Sequence, residues 1–173
     1  MSIRIVIADD HLMLVAALQA MLAREPDIAV VGTAGDGAAL LELVAQTKPD
    51  VVIMDIGMPR MNGLEAIQRL TRAGAAAKVV VLSGYSDKRF VLEALNAGAA
   101  GYVVKSAAAD ELPRAIRSVA LGHTYLCPEV AGAVVATANV KLEPGRDRYS
   151  VPLAFAPDQT GTFVFTVAAP VFP

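Results

Sequence analysis

Apolar and polar positions change in blocks along the first 121 residues, and the block lengths predict strand and helix in turn. Short runs rich in β-branched residues fall at Ile3–Ala8, Ile28–Gly32, Val51–Met54, Lys78–Leu82 and Gly101–Val104. Each is followed by a segment of helical character, at Leu12–Ala23, Gly37–Gln46, Gly63–Arg72, Asp87–Asn96 and Ala109–Leu121. Such regular alternation predicts βαβ units around a parallel sheet. Breakers separate the segments at Pro26, Gly35, Gly37, Pro49, Pro59, Gly63, Gly84, Gly98 and Gly101. In the first helical segment Leu14, Leu18, Met21 and Leu22 recur at helical spacing and predict a stripe facing the core. Leu12, Met13 and Val15 lie off that stripe, and they either widen the buried face or leave an apolar patch in solvent.

Beyond residue 122 the pattern changes. Helical periodicity fades from about Cys127, and Ala131 to Ala138 is small and apolar. Val151 to Ala156 and Thr162 to Val167 flank a turn-forming stretch, Pro157 to Gly161, and suit a loose β-hairpin. The expected division is therefore residues 1–122 as one α/β domain and 123–173 as a linker with a C-terminal extension.

Composition narrows the function classes. With 173 residues, 55% apolar content and a net charge of -2, the chain can bury one core of ordinary domain size. That near-neutral balance gives no general attraction to nucleic acid or to an anionic membrane. The first apolar run is interrupted by Arg4, Asp9 and Asp10, so no signal-peptide core is expected, and no later run reaches spanning length. A cytoplasmic location follows as the expectation. Cys127 is the single cysteine, which excludes an intramolecular disulfide and suits a buried, inert thiol.

The candidate chemistry lies where the strands stop. Asp9 and Asp10 follow the first strand, Asp55 the third, Ser83 the fourth and Lys105 the fifth. In an open parallel sheet these carboxyl ends form the ligand-binding edge. Three carboxylates roughly 5 Å apart at an effective dielectric of about 20 repel by about 3 kcal/mol per pair. Such a group calls for a cation or a shared proton, and an all-oxygen site open to water suits Mg²⁺. No cluster of histidine and cysteine offers a zinc site. A carboxylate can attack phosphorus to form an acyl phosphate while a metal, an ammonium and a hydroxyl spread the charge of the phosphoryl oxygens. Asp55, from the middle strand of the set, is the natural nucleophile. Asp9 and Asp10 are better placed to hold metal, with the backbone of Ile56 and Gly57 lining the same pocket. Taken singly, each of these residues is an ordinary cap, turn or solvated side chain. Their joint delivery from four strands favours one phosphorylation site.

The segments IRIVIADDH, VVIMDIGMPRMNG, VVVLSGYSD and AGAAGYVVKS together resemble the receiver domain of bacterial two-component response regulators, over about residues 1 to 122. The resemblance implies a flavodoxin-like (CheY-like) fold, a five-stranded parallel sheet of order 2-1-3-4-5 with helices on both faces. It implies that Asp55 takes a phosphoryl group from a sensor histidine kinase or a small phosphodonor. Asp10, Asp55 and the carbonyl of Gly57 would ligate Mg²⁺, with Asp9 acting through water. Ser83 and Lys105 would grip the phosphoryl oxygens, and Tyr102 matches the switch aromatic. Where many receivers have Lys-Pro, this chain has Lys105-Ser106, so no cis peptide is expected there.

The DDH start and the stretch SVALGHTYLCPEVAG resemble the NarL/FixJ (LuxR-type) subgroup, whose receivers precede a helix-turn-helix domain. Residues 130–173 contain only Lys141, Arg146 and Arg148 as cations and carry four prolines after residue 150, which argues against direct DNA binding. A homodimer is among the candidate assemblies. His11 is expected to face solvent from the first helical turn. Two alternatives compete with the switch. An aspartyl-phosphate phosphatase would need a second acid where Gly57 stands, and a receiver-shaped scaffold from a truncated or frameshifted regulator would not need the complete site.

Overall fold

The structure, a computed structural model, describes residues 2–137, 148–156 and 159–166. Five β-branched runs form strands: β1 (Ile3–Ala8), β2 (Ile28–Ala34), β3 (Val51–Met54), β4 (Lys78–Ser83) and β5 (Gly101–Val104). Every residue of β3 and β5 is buried, as expected of parallel strands covered on both faces. The strands alternate with α1 (Leu12–Leu22), α2 (Gly37–Thr47), α3 (Gly63–Arg72), α4 (Lys88–Ala97) and α5 (Ala108–Ala120), the last preceded by a single 3₁₀ turn at Lys105–Ala107. Side-chain oxygens of Asp36, Asn62 and Asp87 accept hydrogen bonds from the first free N–H groups of α2, α3 and α4. Gly98, at φ 115°, ends α4 in a left-handed conformation that suits glycine.

All neighbouring strands of the sheet are parallel, and the order is 2-1-3-4-5 with one more strand on the far edge. This sixth strand, β6 (Tyr125–Leu126), was not expected: the five-stranded sheet becomes six-stranded. Two residues are too few for a periodic signal, and the pairing depends on Tyr125 N–H reaching Ala100 O at 3.0 Å and Cys127 N–H reaching Tyr102 O at 3.0 Å. The buried Glu111 carboxylate of α5 accepts the Tyr125 hydroxyl, which fixes β6 to the helix beneath it.

A helix also follows where the pattern suggested that helical periodicity was lost. In α6 (Pro128–Thr137), Val130 and Val134 fall at i and i+4 and are buried. A segment of small apolar residues on nearly every side carries no polar face by which its period could be read. In α1 the off-stripe residues divide. Val15 is buried, whereas Leu12 and Met13 are 79% and 89% exposed.

Beyond α6, β7 (Arg148–Ala156) and β8 (Gln159–Thr166) pair antiparallel, with Val151 opposite Phe163. Pro157, Asp158 and Val167 lie outside the described residues. Among the described residues no helix is long and apolar enough to cross a membrane. Cys127 is buried and its thiol is raised above the usual range, chiefly by burial.

Candidate functional site

Parallel register brings the strand ends together. Ile7 and Ala8 of β1 pair with Ile53 and Met54 of β3, so the residues that follow, Asp9 and Asp55, emerge side by side. The Asp55 N–H donates to Ala8 O at 2.8 Å and the Asp9 N–H to Ala34 O at 3.1 Å, which holds both carboxylates at the sheet edge. Asp9 and Asp55 are buried, and Asp10 is exposed.

Lys105 reaches across from the end of β5. Its ammonium nitrogen lies 2.8 Å from Asp9 Oδ2 and 3.3 Å from Asp55 Oδ1. Burial acts to lower the Lys105 pKa, but Asp9 and Asp55 outweigh it and leave the ammonium above its ordinary value. Burial likewise acts to raise Asp9, and the Lys105 ammonium together with the His11 backbone and ring outweighs it, so the carboxyl sits below its ordinary value. The Asp9–Lys105 pair thus stays charged at neutral pH.

His11 faces solvent as expected, and it also reaches the two neighbouring acids. It is the residue before α1 rather than part of its first turn, and although largely exposed its Nδ1 lies 2.8 Å from Asp9 Oδ1 and 3.1 Å from Asp10 Oδ1. Hydrogen bonding to Asp9 and the charge of Asp10 raise its pKa. Spacing alone does not show the contact with Asp9, because it depends on the chain turning back before the helix begins. The turn is made by the His11 N–H, which donates to Asp9 Oδ1 at 2.8 Å.

Ligand atoms of Asp9, Asp10, His11 and Asp55 all lie within 4.8 Å of one another. Three carboxylates against one ammonium leave a formal charge of -3 + 1 = -2 with the imidazole neutral. That residual charge and the predominance of oxygen donors fit a hard divalent cation such as Mg²⁺. Gly57 stands beside the same carboxylate, for a Cβ built on it would lie 3.3 Å from Asp55 Oδ2.

The loop after Asp55 is fixed by Gly63, known from the sequence only as a breaker, and by Arg60, to which no role was given. Gly63 N–H donates to Ile56 O at 3.0 Å, and any Cβ on Gly63 would collide with the Asp55 carbonyl and lie 2.9 Å from Ile56 Cα. Arg60, in a left-handed conformation at φ 64°, pairs with the Asp36 carboxylate that also caps α2. Opposite charge was the only sequence signal for that pair, and their separation of 24 positions concealed it.

Ser83 ends β4, buried next to the acidic mouth, and its Oγ accepts the Tyr85 N–H at 3.2 Å. Tyr102 is fully buried, and its hydroxyl donates to the Tyr85 carbonyl at 2.7 Å. Ser83 and Tyr102 therefore hold opposite polar groups of one residue in the loop between β4 and α4. The Tyr85 ring itself is exposed and stacks on Phe90 with centroids 4.8 Å apart.

Comparison with known proteins agrees with this geometry. Residues 5–117 match the response regulator receiver domain family. The chain is 42% identical over 128 residues to the transcriptional regulatory protein DegU of Brevibacillus brevis, covering 74% of this chain and 54% of that protein. It is 38% identical to the transcriptional regulatory protein LiaR of Bacillus subtilis, covering 77% and 63%. The chain thus spans just over half to about six-tenths of the length of these relatives. Among solved structures it resembles a LuxR-family response regulator from Aurantimonas sp. SI85-9A1, with a TM-score of 0.77, 31% identity and coverage of 81% of this chain and 100% of that one. The signal receiver domain of the putative regulator NarL from Mycobacterium tuberculosis gives a TM-score of 0.68 at 32% identity, covering 70% and 98%. A family match over most of the chain, centred on the sheet edge where Asp55 meets Lys105, makes this protein a member of the response regulator receiver family.

Proposed function

We propose that the chain is a phospho-acceptor switch in which Asp55 takes a phosphoryl group from the phosphohistidine of a sensor histidine kinase, or from a small phosphodonor, in a Mg²⁺-dependent reaction. The observation that carries this reading is the Lys105 ammonium shared between Asp9 and Asp55. An oxygen of Asp55 forms the new O–P bond as the N–P bond of the donor breaks, and the donor imidazole keeps the electron pair and takes up a proton from solvent. Asp10, Asp55 and the Gly57 carbonyl would hold the metal, with Asp9 acting through water. When bound, Mg²⁺ supplies Lewis-acid neutralisation of the phosphoryl oxygens.

Lys105 and Ser83 then grip two of those oxygens. Ser83 accepts the Tyr85 N–H and Tyr102 holds the carbonyl of that same residue, so movement of Ser83 toward a phosphoryl oxygen would be felt at Tyr85. The phosphorylated state is favoured by charge-assisted bonds that the free state lacks, and the loop between β4 and α4 carries the change to α4 and β5. The protein acts as a switch with self-phosphorylation and self-dephosphorylation only, not as an enzyme turning over outside substrates. Its place is the cytoplasm, alone or as a homodimer, controlling a partner or a transcriptional output without itself gripping DNA. The receiver proper is residues 1–122. Residues 123–173 form a linker and extension whose first part, β6 and α6, closes the sheet edge.

Incubation with Mg²⁺ and acetyl phosphate, followed by intact mass and peptide mapping, should give one added phosphoryl group on the peptide containing Asp55. An unchanged mass with both acetyl phosphate and a phosphorylated kinase would remove the proposal.

A further inference from the structure

The amino ends of β3 and β4, at the opposite end of the sheet from Asp55, border a groove of about 720 Å³ between α2, α3 and the loop that follows α3. That volume lies within the range of small-molecule sites, roughly 300–1,000 Å³. The groove exists because small residues cannot fill the space: the loop supplies Ala75, Ala76 and Ala77, and Ala45 faces them from α2. Buried Val44, Pro49 and Leu70 form its apolar floor.

Charge is distributed unevenly around it. Lys48, Arg69 and Lys78 line the groove with one acid, Asp50, a local balance of +3 - 1 = +2 in a chain whose total is -2. Asp50 accepts the Arg4 N–H at 2.8 Å, and Arg69 pairs with Glu65 at 2.7 Å. The ammonium groups of Lys48 and Lys78 have no such partner among the described residues. Lys48 also ends α2 at φ 46° and ψ 62°, a conformation more readily adopted by glycine or asparagine. Both lysines are exposed at the rim, so the groove joins an apolar floor to a local excess of positive charge, the complement of an organic anion.

We propose that this groove binds a monoanionic organic acid with an apolar body, for which a medium-chain carboxylate is the simplest representative, its carboxylate between Lys48 and Lys78 and its chain over Val44 and Leu70. The proposal is independent of phosphorylation at Asp55. It is tested by titrating the full chain with anilinonaphthalene sulfonate and displacing that dye with decanoate, kept below the concentration at which it forms micelles. Saturable displacement is expected, weakened about tenfold or more when Lys48 and Lys78 are both changed to alanine, as loss of a charge-assisted contact implies. Neutral decanol should compete less well than decanoate by a similar factor. Ala76→Phe, a change at an exposed loop position, should fill the groove and abolish displacement, whereas Asp55→Asn should leave it unchanged. Absence of saturable displacement, equal competition by decanol, or undiminished binding in Ala76→Phe would each overturn the proposal.

Discussion

The two ends of the parallel sheet handle charge in opposite ways. At the carboxyl ends Asp9, Asp55 and Lys105 are drawn into one hydrogen-bonded group with Asp10 and His11 around it. At the amino ends Lys48, Arg69 and Lys78 are spread around an alanine-lined groove, and two of the three lack a partner among the described residues. The difference comes from the backbone. Strands in parallel register deliver the residue that follows each of them to one edge, so one polar residue per strand suffices to build a site. At the other end the chain arrives from helix termini through loops of different length, and small side chains leave space there rather than chemistry.

The sharpest way to break the contrast is at Asp55. Asp55→Asn should abolish phosphoryl transfer from acetyl phosphate, read by intact mass, while circular dichroism remains that of the wild type. Lys105→Ala comes next. Losing a preorganised donor should slow phosphorylation by about a hundredfold, and removing the cation from the acidic group should tighten Mg²⁺ binding measured by calorimetry.

Gly63→Ala tests whether the mouth depends on the close approach of α3 to the Asp55 backbone. With its Cβ in the Asp55 carbonyl, the variant should lose about 1–3 kcal/mol in urea denaturation and should also phosphorylate more slowly. Tyr125→Phe should leave phosphorylation intact and cost about 1–2 kcal/mol, since Glu111 would lose its donor in a buried setting.

The smallest effect concerns pH. The folded Asp9 carboxyl is held below its unfolded value of about 4, so its contribution is complete above that value and is lost as pH falls through the folded one. Between pH 5 and pH 2.5 the wild type should therefore lose more urea stability than Asp9→Asn.

Much of this could be read from the chain because four of the five long parallel strands end at or next to a candidate site residue. Asp9, Asp10, Asp55, Ser83 and Lys105 needed only the βαβ alternation to place them at one edge, and the sheet order accompanied the receiver resemblance. What could not be read depended on contacts without period or neighbourhood. β6 has two residues and is held by the Tyr125 hydroxyl on Glu111, 14 positions earlier. α6 is too uniformly apolar to show a face, and Arg60 finds Asp36 only after α2 and β3 have folded between them. His11 faces solvent as its position suggested, but its contact with Asp9 comes from a local turn that has no sequence period.

The N–H of Cys127 donates to the carbonyl of Tyr102, so the chain leaving the sheet is tied by one bond to the residue whose hydroxyl grips the loop beside Ser83. Tension applied through anything attached beyond α6 would pass along that helix and through this one bond into β5. The Tyr125–Glu111 contact anchors the same segment to α5, so the exit of the chain is tied to both the sheet and a helix.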